Sequence, residues 1–324
     1  MYDMMCRFIL FGNRKDDAPW RYDRKMKWIC PVPGYDRHFA ITELLGFEMI
    51  NVPLLEDGPD MDMLEKLVAN DPYIKGMWCV PKYSNPTGTV YSNEVIRRLA
   101  AMETAYPFFR IMCDDAYTLH FLGEEPVGQL NIIKACAEAG NPNRAIMFTS
   151  LSKVTFPGAG VAAYASSIAN MKYLRELVGI QTIGSDKLNQ LRHVNFLKSY
   201  GGIIKHMERQ AEIMRPKFKI CLDILDEQVG DLGILQYTRP KGGYFISIDT
   251  LDGCAKRVVQ LAGECGVALT PAGATFPYGV DPNDRNIRLA PTFPPVEQLS
   301  QAMEVLCTCV KLASLEKILM DKEG

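Results

Sequence analysis

The sequence predicts an α/β protein: a large domain on a mostly parallel sheet with helices on both faces, then a smaller α+β domain at the C-terminal end. Two observations carry this. Between residues 25 and 148 short apolar runs alternate with helical segments, the pattern of strands paired in parallel through helical crossovers. Beyond about Asp186 the texture changes to long helical stretches with few breakers, then to short mixed elements. The boundary is expected inside the long helices, dividing the chain into residues 1–215 and 216–324.

Taken in order, residues 27–30 form the first expected strand, and the helix after it ends near Gly46. A second strand covers 48–52. Asp62 and Glu65 have capping-box spacing, which predicts a helix opening there and running to about Asn70. Residues 76–80 form a strand, and Ser92 caps a helix reaching about Tyr106. A strand at 109–113, a helix at 132–139 and a strand at 145–148 follow. Long helices are expected over 188–200 and 203–228, with Gly201-Gly202 as a hinge or kink between them. The smaller domain then reads as strands at 244–248, 267–269 and 286–289, a helix near 255–265, and a last helix from about Pro295. Neither internal repeats nor low-complexity segments interrupt the pattern.

A chain of 324 residues, 48% hydrophobic and 23% charged, buries a large core. Its net charge of -2 and pI near 6.1 give no electrostatic basis for binding nucleic acid or an anionic membrane. No apolar run reaches spanning length, and an early acid and a broken apolar stretch do not match a signal peptide. The ten cysteines, among them Cys30, Cys79, Cys113, Cys136, Cys221 and Cys265, lie mostly in apolar contexts without Cys-x-x-Cys or Cys/His zinc spacing. Reduced, buried thiols in a cytoplasmic protein are expected, and no metal. His38, His120, His193 and His206 also lack ligand spacing, and His120 is expected behind the site or facing solvent.

Three motifs stand out. Taken singly, Asn85-Pro86-Thr87-Gly88 reads as a turn, Asp114 as a helix cap and Lys153 as a solvated lysine. Jointly they share a place. Asn85 lies a few residues past the strand at 76–80, Asp114 directly follows Cys113, and Lys153 comes shortly after Phe148. All three lie beyond the carboxyl ends of strands, the edge where open α/β sheets bind ligands. A lysine, a carboxylate, the phenol of Tyr117 and an amide on one edge would hold an aldehyde cofactor through an imine and tune the electronics of its ring.

The succession Asn85-Pro86-Thr87-Gly88, Asp114-Asp115-Ala116-Tyr117 and Ser150-Leu151-Ser152-Lys153 resembles class I/II aminotransferases, the fold-type I enzymes that use pyridoxal 5'-phosphate. The likeness extends over nearly the whole chain. Pro33-Gly34-Tyr35 is similar to the segment whose aromatic residue stacks on the cofactor. Pro240-Lys241-Gly242-Gly243-Tyr244-Phe245 resembles the small-domain hairpin, and residues 266–273 the strand and turn that follow. Asn286-Ile287-Arg288-Leu289 matches the strand bearing the substrate-carboxylate arginine, and residues 30–39 most resemble a bacterial aspartate aminotransferase subgroup.

The resemblance implies a role for each residue. Lys153 would bond the cofactor aldehyde and then move the proton at the substrate α-carbon. Asp114 would keep the pyridine nitrogen protonated, and Tyr117 and Asn85 would donate to the ring's phenolic oxygen. Tyr35 would cover one ring face, Ser150 and Ser152 would hold the phosphate, and Arg288, with Asn85 beside it, would receive the substrate carboxylate. The implied reaction is a ping-pong, Schiff-base transfer of an amino group between an amino acid, with aspartate or glutamate favoured, and a 2-oxo acid. The implied assembly is a homodimer with the site at its interface. A lyase acting through the same carbanion, and a non-catalytic aminotransferase-like ligand-binding protein, stay open beside it.

Two departures from the family pattern are visible. Gly160 stands where relatives place an arginine for the phosphate. The family's phosphate cup and first strand would fall at or before Met1, with residues 1–10 resembling the helix after the cup. The chain is therefore read as N-terminally truncated.

Overall fold

The computed structural model describes residues 1–323. Its large sheet is built from β1 (Lys27–Val32), β2 (Glu48–Leu55), β3 (Gly58–Pro59), β4 (Ile74–Cys79), β5 (Arg110–Asp114), β6 (Ala145–Ser150) and β7 (Ala162–Ala165). The spatial order is β3-β2-β1-β4-β5-β6-β7, parallel from β2 to β6 and antiparallel at each edge. Around it lie α1 (Tyr2–Phe11), α2 (Asp36–Leu44), α3 (Met61–Asn70), α4 (Asn93–Ala101), α5 (Ile132–Glu138) and α6 (Ile168–Gln181). Every residue of β4 is buried, as expected of a central strand covered on both sides. Trp28 packs against Trp20, Phe47 and Trp78 at centroid separations of 6.2, 5.6 and 5.4 Å, a run of tilted and edge-on rings through the core.

The chain leaves β1 toward β2 and β3 on one side, then returns to β4 and proceeds to β7 on the other. The strand order therefore reverses between β1 and β4. Helices and loops diverge there and leave a crevice at the carboxyl ends. Tyr35 follows β1 and Asn85 follows β4, so the two flank that crevice.

Beyond the sheet run α7 (Lys187–Leu197) and α8 (Tyr200–Val229). A second, antiparallel sheet of β8 (Leu235–Tyr237), β9 (Ile246–Thr250) and β10 (Asn286–Leu289) stands in the order β10-β9-β8. With α8, α9 (Ala255–Glu264) and α10 (Val296–Glu323) it encloses a separate core that includes Phe218, Leu225, Ile248, Val258 and Val310. The boundary expected near residue 215 falls inside α8, beside Pro216.

Several sequence expectations need correction. Asp60, not Asp62, caps α3, accepting from the Met63 amide at 3.0 Å, while Asp62 lies in the first turn and pairs with Arg98. Helix α4 keeps its Ser92 cap but ends at Ala101, well short of Tyr106. Gly201 and Gly202 belong to the first turn of α8, where the Ser199 hydroxyl accepts from the Gly202 amide, so the break lies at Lys198 and Ser199. Residues 267–269 form no strand: the Val267 amide bonds back to Ala262, and the segment packs on the second core without a ladder partner. Strands β7 and β8 and helix α6 were not foreseen. All ten cysteines are free thiols, and Cys265 is exposed rather than buried. No described helix is long and apolar enough to cross a membrane.

Candidate active site

Asp114 is the last residue of β5, and its carboxylate receives His38 Nε2 at 2.9 Å. His38 lies on the opening turns of α2, stacked on Trp78 at 4.4 Å with an 11° interplanar angle. The Trp78 indole donates to Thr42 Oγ1 at 2.8 Å, and Thr42 donates to the His38 carbonyl at 2.6 Å. The buried tryptophan core thus sets the imidazole that faces Asp114. Burial alone would raise the Asp114 pKa, but the His38 hydrogen bond and the charges of His38 and Lys153 outweigh it and hold the carboxyl below its ordinary value.

Lys153 sits in the turn after β6, where the Leu151 amide bonds to the Val161 carbonyl at 2.8 Å. Its Nζ donates to the Tyr117 hydroxyl at 2.8 Å, and lies 4.1 Å from the Tyr117 ring centroid and 5.9 Å from that of Tyr35. Burial lowers the Lys153 pKa, and the Asp114 charge restores part of it. Burial and the Asp114 charge push the Tyr117 hydroxyl far above its usual value, so it stays a neutral donor and acceptor. The lysine is also held by its backbone: the Tyr244 hydroxyl donates to its carbonyl at 2.9 Å, and His120 Nε2 lies 3.4 Å from the same oxygen.

Ser150 and Ser152 lie together, their hydroxyl oxygens 2.8 Å apart, with the Ser152 amide donating to Ser150 Oγ at 3.1 Å. Asp114, Thr149, Ser150 and Tyr164, with Met4 and Arg7 of α1, line a cavity of about 370 Å³. A Cβ on Gly160 would sit 2.7 Å from Ser152 Oγ and 2.8 Å from its amide nitrogen. The return toward β7 passes so close to Ser152 that a side chain at this position does not fit the observed backbone.

Arg288 reaches the site from β10, only 11% exposed. Its Nη1 donates to Asp36 Oδ1 at 2.9 Å and to Asn85 Oδ1 at 3.2 Å, while its Nε is buried without a partner among the described residues. The guanidinium carbon lies 5.1 Å from the Phe245 ring centroid. Gly88, in the Asn-Pro-Thr-Gly loop, has φ +74°, and a Cβ there would meet Pro240 at 2.4 Å. The loop is therefore a turn as well as a site wall, closed against the β8–β9 hairpin.

The structure brings together Lys153, Tyr117, Asp114 and Tyr35, with Asn85 and Arg288 bonded to each other at the same edge. Ser150 and Ser152 stand on the turn leading to Lys153. His38, Asp36 and Tyr244 were not singled out from sequence. His120 turns out buried against Lys153, not solvent-facing. Only His38 had a usable signal, its place three residues after Tyr35 at the start of a helix leaving a strand. Asp36 and Tyr244 depend on contacts between distant segments.

Known proteins resemble this chain in sequence and fold. The family model described as aspartate amino-transferase covers residues 1–322. The aspartate aminotransferase of Corynebacterium glutamicum is 49% identical over 316 residues, which cover 98% of this chain and 73% of that protein. A solved aspartate transaminase from C. glutamicum superposes with a TM-score of 0.96 at 48% identity, over 98% of this chain and 74% of that one. The α-aminoadipate aminotransferase LysN of Thermus thermophilus, solved with N-(5'-phosphopyridoxyl)-L-leucine, superposes with a TM-score of 0.79 at 25% identity, over 97% of this chain and 76% of that one. By its sequence, its fold and the strand-end site just described, this chain belongs to the aspartate aminotransferase family and is a fold-type I aminotransferase.

Proposed function

We propose that the protein is a pyridoxal-phosphate-dependent transaminase exchanging an amino group between aspartate or glutamate and a 2-oxo acid. The observation that carries this is the Lys153 amine, desolvated, bonded to Tyr117 and close to an Asp114 carboxylate kept ionised by His38. These residues fit the cofactor by their chemistry: an amine of lowered basicity for its aldehyde, an anion for its pyridine nitrogen, and paired seryl hydroxyls for its phosphate. When bound, pyridoxal phosphate supplies an aldehyde that accepts the amino group and a ring that takes up electrons from the substrate's α-carbon.

This chain's residues do the rest. Lys153 holds the cofactor through its amine and, once freed, moves the proton at the substrate α-carbon, a task suited to a base whose pKa lies below that of ordinary lysine. Asp114, held anionic by His38, would keep a proton on the cofactor's pyridine nitrogen. Tyr117 orients Lys153 and, with Asn85, would donate to the ring oxygen of the bound cofactor. Tyr35 would cover a ring face, Ser150 and Ser152 would take the phosphate, and Arg288 would receive the substrate carboxylate in a site Asn85 helps fix. We assign the enzyme to the cytoplasm on its buried thiols and to a homodimer on the exposed Ile180, Ile183, Leu188 and Leu191 of the α6–α7 region.

The test is to supply pyridoxal phosphate, then aspartate and 2-oxoglutarate, and follow glutamate. Borohydride reduction of the loaded enzyme is expected to fix the cofactor on Lys153. Labelling at another lysine, or alanine and carbon dioxide in place of glutamate, would overturn the assignment.

A further inference from the structure

Arg288 already has a carboxylate. Asp36 Oδ1 accepts from its Nη1 at 2.9 Å, as a substrate acid would, while the buried Nε is left without a partner among the described residues. A guanidinium is a fork made for two parallel bonds to one carboxylate, and here that fork is half filled. The two partners also differ in setting. Arg288 is 11% exposed and Asp36 is 45% exposed, so the acid lies on the solvent side, where it can be pushed aside.

We propose that Asp36 is a resident competitor: it neutralises Arg288 while the site waits and is displaced by the carboxylate of the substrate. The inference rests on reading Arg288 as the carboxylate receptor. A largely buried guanidinium without a counter-ion is costly, so a stand-in anion keeps the ligand-free site stable. Asp36 suits the task because it is the first residue of α2. Its released carboxylate stays beside the helix N-terminus, whose dipole favours negative charge, and displacement costs little. Asn85 Oδ1, 3.2 Å from the same Nη1, keeps the arginine aimed after Asp36 leaves. Affinity then reflects a difference between two carboxylates on one fork, and ligands whose acid is masked as an amide cannot make the exchange.

The test uses the enzyme supplied with pyridoxal phosphate, with Kd for maleate measured by calorimetry beside KM for aspartate and 2-oxoglutarate. Asp36→Asn and Asp36→Ser both remove the charge at an exposed helix start that tolerates either residue. Each is expected to lower Kd and both KM values about threefold to tenfold, the scale of a partly exposed ion pair. Arg288→Gln is expected to raise all three by about 30-fold or more. If Arg288→Gln changes nothing, the receptor reading fails whatever Asp36 does. If Arg288→Gln weakens binding while both Asp36 variants leave it unchanged or weaker, the receptor stands and the competitor is overturned.

Discussion

Lys153, Asp114 and Tyr117 follow neighbouring strands of one sheet, whereas Arg288 arrives from a second sheet to meet Asp36 and Asn85, 252 and 203 residues away in sequence. The first group is set by local structure. Strand ends β5 and β6 are adjacent, so Asp114 and Lys153 come near each other wherever that sheet forms. The Arg288 end, proposed to receive the substrate carboxylate, forms only when the two sheets are docked, through contacts such as the Gly34 amide to the Thr275 carbonyl at 2.8 Å and the Leu122 amide to the Lys241 carbonyl at 2.9 Å. Residues on one sheet edge can be fixed tightly for proton transfer. A site between two sheets can exchange partners, as the Asp36–Arg288 pair suits it to do.

Breaking the sheet-edge group should have the largest effect. Lys153→Ala is expected to lower kcat by about 10³-fold or more under saturating substrate, with partial rescue by added small amines, because no other described side chain replaces its amine. Next is His38→Phe, which keeps a ring on Trp78 but removes the donor to Asp114. Without that bond, burial raises the Asp114 pKa, so the acid limb of the kcat profile should move to higher pH. The loss in kcat should be about 10- to 100-fold, the worth of a hydrogen bond to a charge.

A third experiment reads stability. Burial lowers the His120 pKa to about 4 from an ordinary 6.5, so the unfolded chain binds the extra proton between those values. Stability from the neutral ring is present above about pH 6.5 and is lost as pH falls toward 4. Asp115 acts in the opposite direction: burial raises it to about 6, so its contribution is present at low pH and lost as pH rises through that value. Urea unfolding of the parent and of His120→Gln isolates the histidine. Between pH 7 and pH 5 the parent should lose about 2 kcal/mol more than the variant. An equal loss in both would show that His120 is not buried as a neutral ring. The smallest effect is expected from Tyr244→Phe, which deletes one bond to the Lys153 carbonyl and should cost about 1 kcal/mol in the same assay.

Much of this site is legible in the linear chain because parallel sheets place successive strand ends on one edge. Asn85, Asp114, Tyr117 and Lys153 could be singled out for that reason, and Tyr35, Ser150, Ser152 and Arg288 by family resemblance. His38 was overlooked because a histidine on a short helix has no motif of its own, and its role comes from Trp78 beneath it and Asp114 beside it. Capping-box spacing favoured Asp62, but Asp60 makes the cap, since only the backbone decides which of two nearby acids faces the free amides. Residues 267–269 have the apolar pattern of a strand, and what they lack is a neighbour to pair with.

The alternation of strands and helices, the edge on which the chemistry gathers and the residue types that gather there are all written in the linear chain. They follow from hydrophobic period and chain order, which are local properties. Folding alone settles that Gly160 must lack a side chain against Ser152, that His120 and Tyr244 hold the Lys153 backbone, and that Asp36 occupies Arg288. Each of those depends on the distance between segments far apart in the chain, and that distance is set when the two cores close on each other.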